Sequence, residues 1–336
     1  MSIWIGTASW ADKNLIDTGR FYPPDVTTPE ARLRFYATRF PLVEVDSSYY
    51  ALPSPGMTEK WAQRTPEGFA INVKAFRLFT GHQTAPEVLP ADVRDALPDV
   101  LKRKAVLYHR DVPGELLAEL WARFTASLWP LREAGRLGLV HFQFPPWLVR
   151  NRAGRAHVAH CAERMAGFTV SVEFRNAHWF DDGHANDTLA FQRDLGVVHT
   201  IVDEPQGFDN SVPALWHTTH EQHALVRLHG RNAATWNNRS AHSGGRFNYD
   251  YDDAELEGLA HQVIGLDRPA LKIHVVFNNN ADDQAQRNGR TLLRTMQDVQ
   301  ADVVAPFREG ETPERNLRAG HQGELSWSTT ASSPAD

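Results

Sequence analysis

Cysteine is almost missing from this chain: Cys161 is the single one in 336 residues. That excludes an internal disulfide and any metal site built on several thiolates, and it fits a reducing compartment. No apolar stretch approaches the roughly twenty residues that a membrane-spanning helix needs. No signal peptide precedes the first strand-like run, so the expected location is cytoplasmic, with no membrane partner. An excess of positive charge is lacking too. The net charge of −6 gives no general attraction to phosphate backbones or anionic membranes, so an anion site has to be local. HExxH, paired cysteines, a glycine fingerprint for nucleotides and a nucleophile elbow around Ser9, Ser47 or Ser48 are all absent. The remaining composition, 42% hydrophobic and 23% charged, is that of an ordinary globular chain long enough for a large core.

What is present is alternation. Short β-branched, apolar runs carry strongly polar residues at every second position: Glu44 and Asp46 in VEVD, Asn72 and Lys74 in INVKA, His141 and Gln143 in VHFQF. The pattern returns with Ser171, Glu173 and Arg175 in VSVEFR, Arg227 and His229 in VRLHGR, and His274 and Asn278 in HVVFN. A strand turns successive side chains to opposite faces, so one face is apolar and the other carries chemistry. Charged groups on one buried face have to satisfy one another, which implies a polar network inside the protein.

Strands are expected from Ile3 to Ser9, Leu42 to Asp46, Phe69 to Ala75, Gly138 to Phe144, Thr169 to Arg175, Val197 to Asp203, Ala224 to His229 and Lys272 to Phe277. Helices are expected between them: one opened by Thr28 and Pro29, others from Gly56 to Arg64, Asp187 to Leu195 and Asp252 to Ile264. The stretch from Leu78 to Arg136 is long enough for two or more helices, although VLYHR inside it can be taken for a strand. Eight strands with crossovers predict α/β architecture, a parallel sheet closed into a single-domain barrel with an enlarged helical segment before strand four. The domain is expected over residues 1–305, with a polar tail without fixed structure over 306–336.

The motifs IGTASW, FYPPD, VEVDSSYYALPSP, WAQRTPEGFAINVKAF, FQFPP, SVEFRNAHWF, VRLHGR and VVFNNN occur in order from Ile3 to about Asn280. Together they resemble the YecE-like family, domain of unknown function 72. The resemblance implies a (β/α)8, TIM-like barrel and implies no particular reaction. This chain departs from the family pattern at Asp46, where relatives commonly carry Asn, and at Arg246 and Phe247, where relatives often have Trp-Tyr.

In a parallel barrel the reactive residues gather at the C-terminal ends of the strands. That rule singles out Lys74, Arg175, Arg227 and Arg231 as cations for a phosphate or carboxylate. The alternative for each is neutralisation by Glu44, Asp46, Glu173 or Asp203, expected on the same face; it stands level with ligand binding for Arg175, whereas Arg227 and Lys74, where strands end, favour a ligand. Glu173 is the first candidate for a general acid or base, Asp203 the second and His229 the third. Trp10, Asp46, Gln143, Trp179 and Asn278 complete the expected substrate-binding set. The leading reading is an enzyme, hydrolase-like, acting on a small anionic, phosphate-bearing ligand. The alternatives are a glycoside hydrolase using Glu173 and Asp203 as its carboxylate pair, and a non-catalytic module that stacks single-stranded nucleic acid on rim aromatics. No cofactor is expected; a divalent ion held by Glu173, Asp203 and His229 is the weaker alternative, since no ligand-spaced motif supports it. Oligomeric state is not legible in the sequence.

Overall fold

The computed structural model describes residues 1–181, 183–237, 243–266, 271–299 and 301–308. Eight strands form a closed barrel in chain order: β1 (Ser2–Ala8), β2 (Leu42–Val45), β3 (Ala70–Lys74), β4 (Leu137–Gln143), β5 (Val170–Glu173), β6 (Val198–Asp203), β7 (His223–Leu228) and β8 (Lys272–Phe277). Every neighbouring pair is parallel, including β8 with β1, so no edge is left unpaired. The expected TIM-like barrel is therefore what the chain forms.

Local chemistry explains where the surrounding helices begin. Thr28 accepts from the backbone N–H of Ala31 at 3.1 Å and Pro29 opens the helix Pro29–Ala37. Ser54 does the same for Pro55–Gln63, and Asp252 with Glu255 forms a reciprocal capping box on Asp253–Ile264. The helix expected from Asp187 starts one turn earlier and spans His184–Asp194. Between β3 and β4 the long segment holds helices Ala91–Ala96, Asp99–Lys102 and Gly114–Glu133. VLYHR contributes no barrel strand: Leu107 makes a single antiparallel bridge to Thr84, and a 3-10 turn follows at His109–Asp111. Among the described residues no helix is long and apolar enough to cross a membrane.

Strand register decides which side chains enter the barrel. Ala8 is paired with Glu44, Glu44 with Asn72, Lys74 with His141, Gln143 with Glu173, and Val202 with Arg227. Residues in register on parallel strands share a face, so this set lines the interior. The opposite face packs under the helices in two large apolar clusters, whereas the interior keeps only a small one: Ala8, Leu42, Leu139, Val198, Leu225 and Val276. Above it the barrel is filled by polar groups.

The chain beyond the last helix stays attached to the far rim. Val303 bridges Ile3 and Phe307 lies 6.2 Å from Phe69, ring to ring. The tail expected over 306–336 falls outside the described residues from residue 309 onward.

One glycine is required by the interior packing. Asn72 Oδ1 accepts from the backbone N–H of Leu139 at 2.9 Å and lies 2.9 Å from His274 Nδ1, and a Cβ on Gly138 would overlap that oxygen and crowd His274. Replacing Gly138 with Ala is expected to destabilise the fold by about 2–3 kcal/mol through overpacking and a lost buried hydrogen bond. Urea unfolding of Gly138→Ala against the parent chain measures it.

Candidate functional site

The interior network is organised by Arg227. Its guanidinium, fully buried, donates to Glu44 on β2 at 2.6 Å, to Glu173 on β5 at 2.6 Å and to Gln143 on β4 at 3.3 Å. It thus joins four strands across the barrel axis. Glu173 is surrounded: besides Arg227, Arg175 donates at 3.1 Å, and the Nε2 atoms of His141 and His229 each stand 3.3 Å from one of its oxygens. Burial alone would raise its pKa, but Arg227 above all, then the two histidines, hold it well below the usual carboxylate range. With two guanidinium groups donating to it and two imidazoles at 3.3 Å, this carboxylate is held in its charged form. Glu173, the expected first acid or base, is therefore a fixed anion that orients the layer above it.

His229 is not a proton shuttle near neutrality either. Burial first, with Arg175 and Arg227 nearby, pushes its pKa down to about 3. Asn278 Nδ2 lies 2.9 Å from His229 Nδ1, which assigns Nδ1 as acceptor and leaves the proton on Nε2, facing Glu173.

Above this layer the mouth carries groups with unspent capacity. Lys74 lies 3.3 Å from Asp46 and over the ring of Tyr49 at 4.9 Å. Burial would raise the Asp46 pKa, and Lys74 with Arg227 lowers it on balance. Arg175 is shared between Glu173 and Glu204, the latter at 2.8 Å, and lies 4.9 Å from the ring centre of Trp236. Arg246 lies over the same indole at 4.3 Å. Arg77 stacks on Tyr49 at 5.2 Å. Among the described residues neither Arg77 nor Arg246 has a carboxylate partner, and the Nε of each is buried without a hydrogen bond. Burial first, then Arg175, pushes Arg246 down to about 10. His82 is held at about 3 by burial and by Lys74, Arg77 and Arg175, so these three cations act on one imidazole.

Glu204 is the group that the sequence reading missed. Its carboxyl is buried, accepts the backbone N–H of Val212 at 2.8 Å, and is pushed up to about 7 by burial, against the pull of Arg175 and with the push of Glu173. Parity could have found it: Val198, Thr200 and Val202 face inward, so the next inward position after Val202 is Glu204, two residues on.

The same parity corrects Asp203. It is in register with Leu228, not with Arg227, and so points away from the interior. There Arg231 grips it with Nε at 3.0 Å and NH2 at 2.8 Å, Tyr251 donates to it at 2.7 Å, and Arg231 also reaches Glu255 at 2.9 Å. Asp203 and Arg231 are a structural clamp on the helix side of the sheet. Glu173 and Asp203 stand on opposite faces and are both gripped by arginine, so they cannot flank one glycosidic bond. Nor can Asp203 join Glu173 and His229 around a metal ion. Two aromatics expected at the mouth are also packed away. Trp179 stacks on Phe174 at 3.8 Å and is fully buried, and Trp10 meets Trp61 edge-on at 5.8 Å within the outer core.

Removing one partner of a buried ion pair strands the others. Arg227→Met is expected to lose about 3–5 kcal/mol of stability, read by thermal or denaturant unfolding, and Glu44→Gln/Glu173→Gln added to it is expected to recover most of that loss. The histidines and Glu173 also set an acid limit. Folded His229 and His274 titrate near 3 rather than 6.5, and Glu173 well below 4.5, so the unfolded chain takes up these protons first. Their contribution is complete above pH 6.5 and is lost as pH falls below it. Glu204 works in the opposite sense, and Glu204→Gln is expected to steepen the acid loss of melting temperature between pH 7 and 4.5.

The comparisons with known proteins agree with the fold. The family model described as "Protein of unknown function DUF72" matches residues 4–314. The UPF0759 protein YunF of Bacillus subtilis (strain 168) is 32% identical over 310 residues, 90% of this chain and 98% of its own length. A DUF72 crystal structure from Enterococcus faecalis V583 superposes with a TM-score of 0.71 at 24% identity, covering 88% of this chain and 95% of that one. Another from Thermotoga maritima MSB8 gives 0.67 at 24% identity, over 88% and 100%. On the family match and the YunF identity, the chain belongs to the DUF72 family.

Proposed function

We propose that this barrel is an acid–base enzyme that takes a small anionic, phosphate-bearing molecule at its C-terminal mouth. Arg77, Arg246, Lys74 and Arg175 would hold the anion, and Glu204 would move the proton. The observation that carries the reading is Glu204 itself: a buried carboxyl pushed up to about 7, in contact with Arg175 and within the field of Arg246. A group half protonated near neutral pH serves as donor and acceptor with little bias either way. Gln143 and Asn278 are the neutral polar groups at that level. In hydrolysis of a phosphate ester, water would add to phosphorus, the bond to the leaving oxygen would break, Glu204 would supply the proton to that oxygen, and the proton given up by the water would return to Glu204. Arg227, fully buried between Glu44 and Glu173, and Arg231, held with Asp203 on the other face of the sheet, are left out of the anion site.

A thermal-shift screen against phosphorylated metabolites, neutral sugars, oligonucleotides and divalent ions tests this reading. A phosphorylated ligand is expected to raise the melting temperature of the parent chain and to lose at least tenfold in affinity in Arg77→Ala/Arg246→Ala. Equal affinity in that double variant sinks the anion site. Affinity is also expected to weaken as pH rises from 6 to 8, because Glu204 gains negative charge through about 7. Glu204→Gln is expected to flatten that dependence, and an unchanged pH profile in this variant would remove Glu204 from the scheme.

A further inference from the structure

A cavity of about 420 Å³ opens between the insertion that follows β3 and the first turns of the helix Arg152–Arg164. Its walls include Tyr108, His109, Arg110, Ala153 and His157, with Trp147 between it and His82. None of these belongs to the Glu204 cluster. The volume falls within the range of small-molecule sites, which are about 300–1,000 Å³.

The lining specifies a chemistry. Trp147 is 53% exposed although its indole is fixed, with Nε1 donating to the carbonyl of Gly81 at 3.3 Å and its ring 5.6 Å from His82. A tryptophan held in place yet half uncovered offers a flat face for stacking. His109 and His157 stand 4.9 Å apart, ring to ring, and burial keeps both imidazoles largely neutral, with His109 down at about 4. A neutral imidazole offers one donor and one acceptor, the complement of a heteroaromatic edge; His157 Nε2 already stands 4.0 Å from Cys161 Sγ, so His109 is the freer of the two. The Nε2 of His109 is buried and has no hydrogen-bond partner. Arg110 is exposed at the cavity lip beside Tyr108, where it engages the ring at 5.6 Å and has no carboxylate partner among the described residues. Gly81, at φ +81°, lines the same wall, and a Cβ placed on it would stand 3.7 Å from His157 Nε2.

We propose that this cavity is a second ligand site, which takes a flat heteroaromatic ring carrying an anionic group. The ring lies on Trp147, its edge meets His109 and His157, and the anion reaches Arg110. The site is lined by residues other than Glu204, Arg77 and Arg246, although Trp147 also touches His82 beneath the mouth, so its test compares variants of this lining with variants of the mouth.

The probe is adenosine 5′-monophosphate, with adenosine and ribose 5-phosphate as partial probes, followed by tryptophan fluorescence and by calorimetry on the full chain. Ala153 is exposed at the cavity wall, so Ala153→Phe plugs the space with little burden on the fold. Expected are saturable binding of the monophosphate, a fluorescence change that disappears in Trp147→Phe, and at least a tenfold loss of affinity in Ala153→Phe. Arg110→Ala is expected to bring the monophosphate down to the affinity of adenosine. Affinity unchanged by Ala153→Phe, or no binding by calorimetry in the parent chain, overturns the proposal. Loss of binding in Arg77→Ala/Arg246→Ala with none in Ala153→Phe would assign the probe to the mouth and overturn it equally.

Discussion

A guanidinium in the middle of a barrel is the constraint around which this protein is built. Arg227 has no water to fall back on, so its charge has to be answered by the chain, and two carboxylates and an amide from three other strands answer it. Each of those groups is then fixed in turn. Glu173 collects a second arginine and two imidazoles, and Arg175 passes the connection on to Glu204. The geometry of the mouth is inherited from this chain of contacts, since Arg175 and Glu204 at the rim are anchored to groups buried beneath them. A buried ion cluster of this kind is weak evidence for stability, because desolvation offsets much of the attraction. Its clearer effect is to fix which strands stand opposite which.

The barrel was legible because parallel strands leave a strong trace. The alternation in β2, β3, β4, β5, β7 and β8 put Glu44, Lys74, Gln143, Glu173, Arg227 and Asn278 on one face, and register confirms that they share it. Motif order added the family. Strand β6 was misread because it offers no polar alternation to lock the phase: VHTIVDEP has an acid on each side of the strand end, and proximity to the terminus favoured Asp203. Counting parity onward from Val198 and Val202 makes Glu204, not Asp203, the inward-facing acid.

Charges were harder to read than faces. A sequence shows which cations exist, not which of them are already neutralised. Arg231 looked available and is gripped by Asp203 and Glu255; at the mouth, Arg77 and Arg246, which drew no attention as anion ligands, have no carboxylate partner among the described residues. The reason is reach. An arginine side chain spans enough distance that its partner is commonly on another strand or in the next loop, as with Arg227 and Glu44, which are 183 residues apart. Aromatics misled for the opposite reason, in that Trp10 and Trp179 follow strand ends in sequence but fold back beneath the helices.

The Arg227 cluster also closes the barrel from below. With its ion pairs spanning the axis and the apolar plug of Leu42, Leu139, Val198 and Leu225 behind them, the bore has no rear exit. A molecule that settles among the mouth cations can therefore depart only along the path by which it came. If the proposed reaction takes place there, its product stands in the doorway of the next arrival, and traffic through the mouth is one-lane by construction.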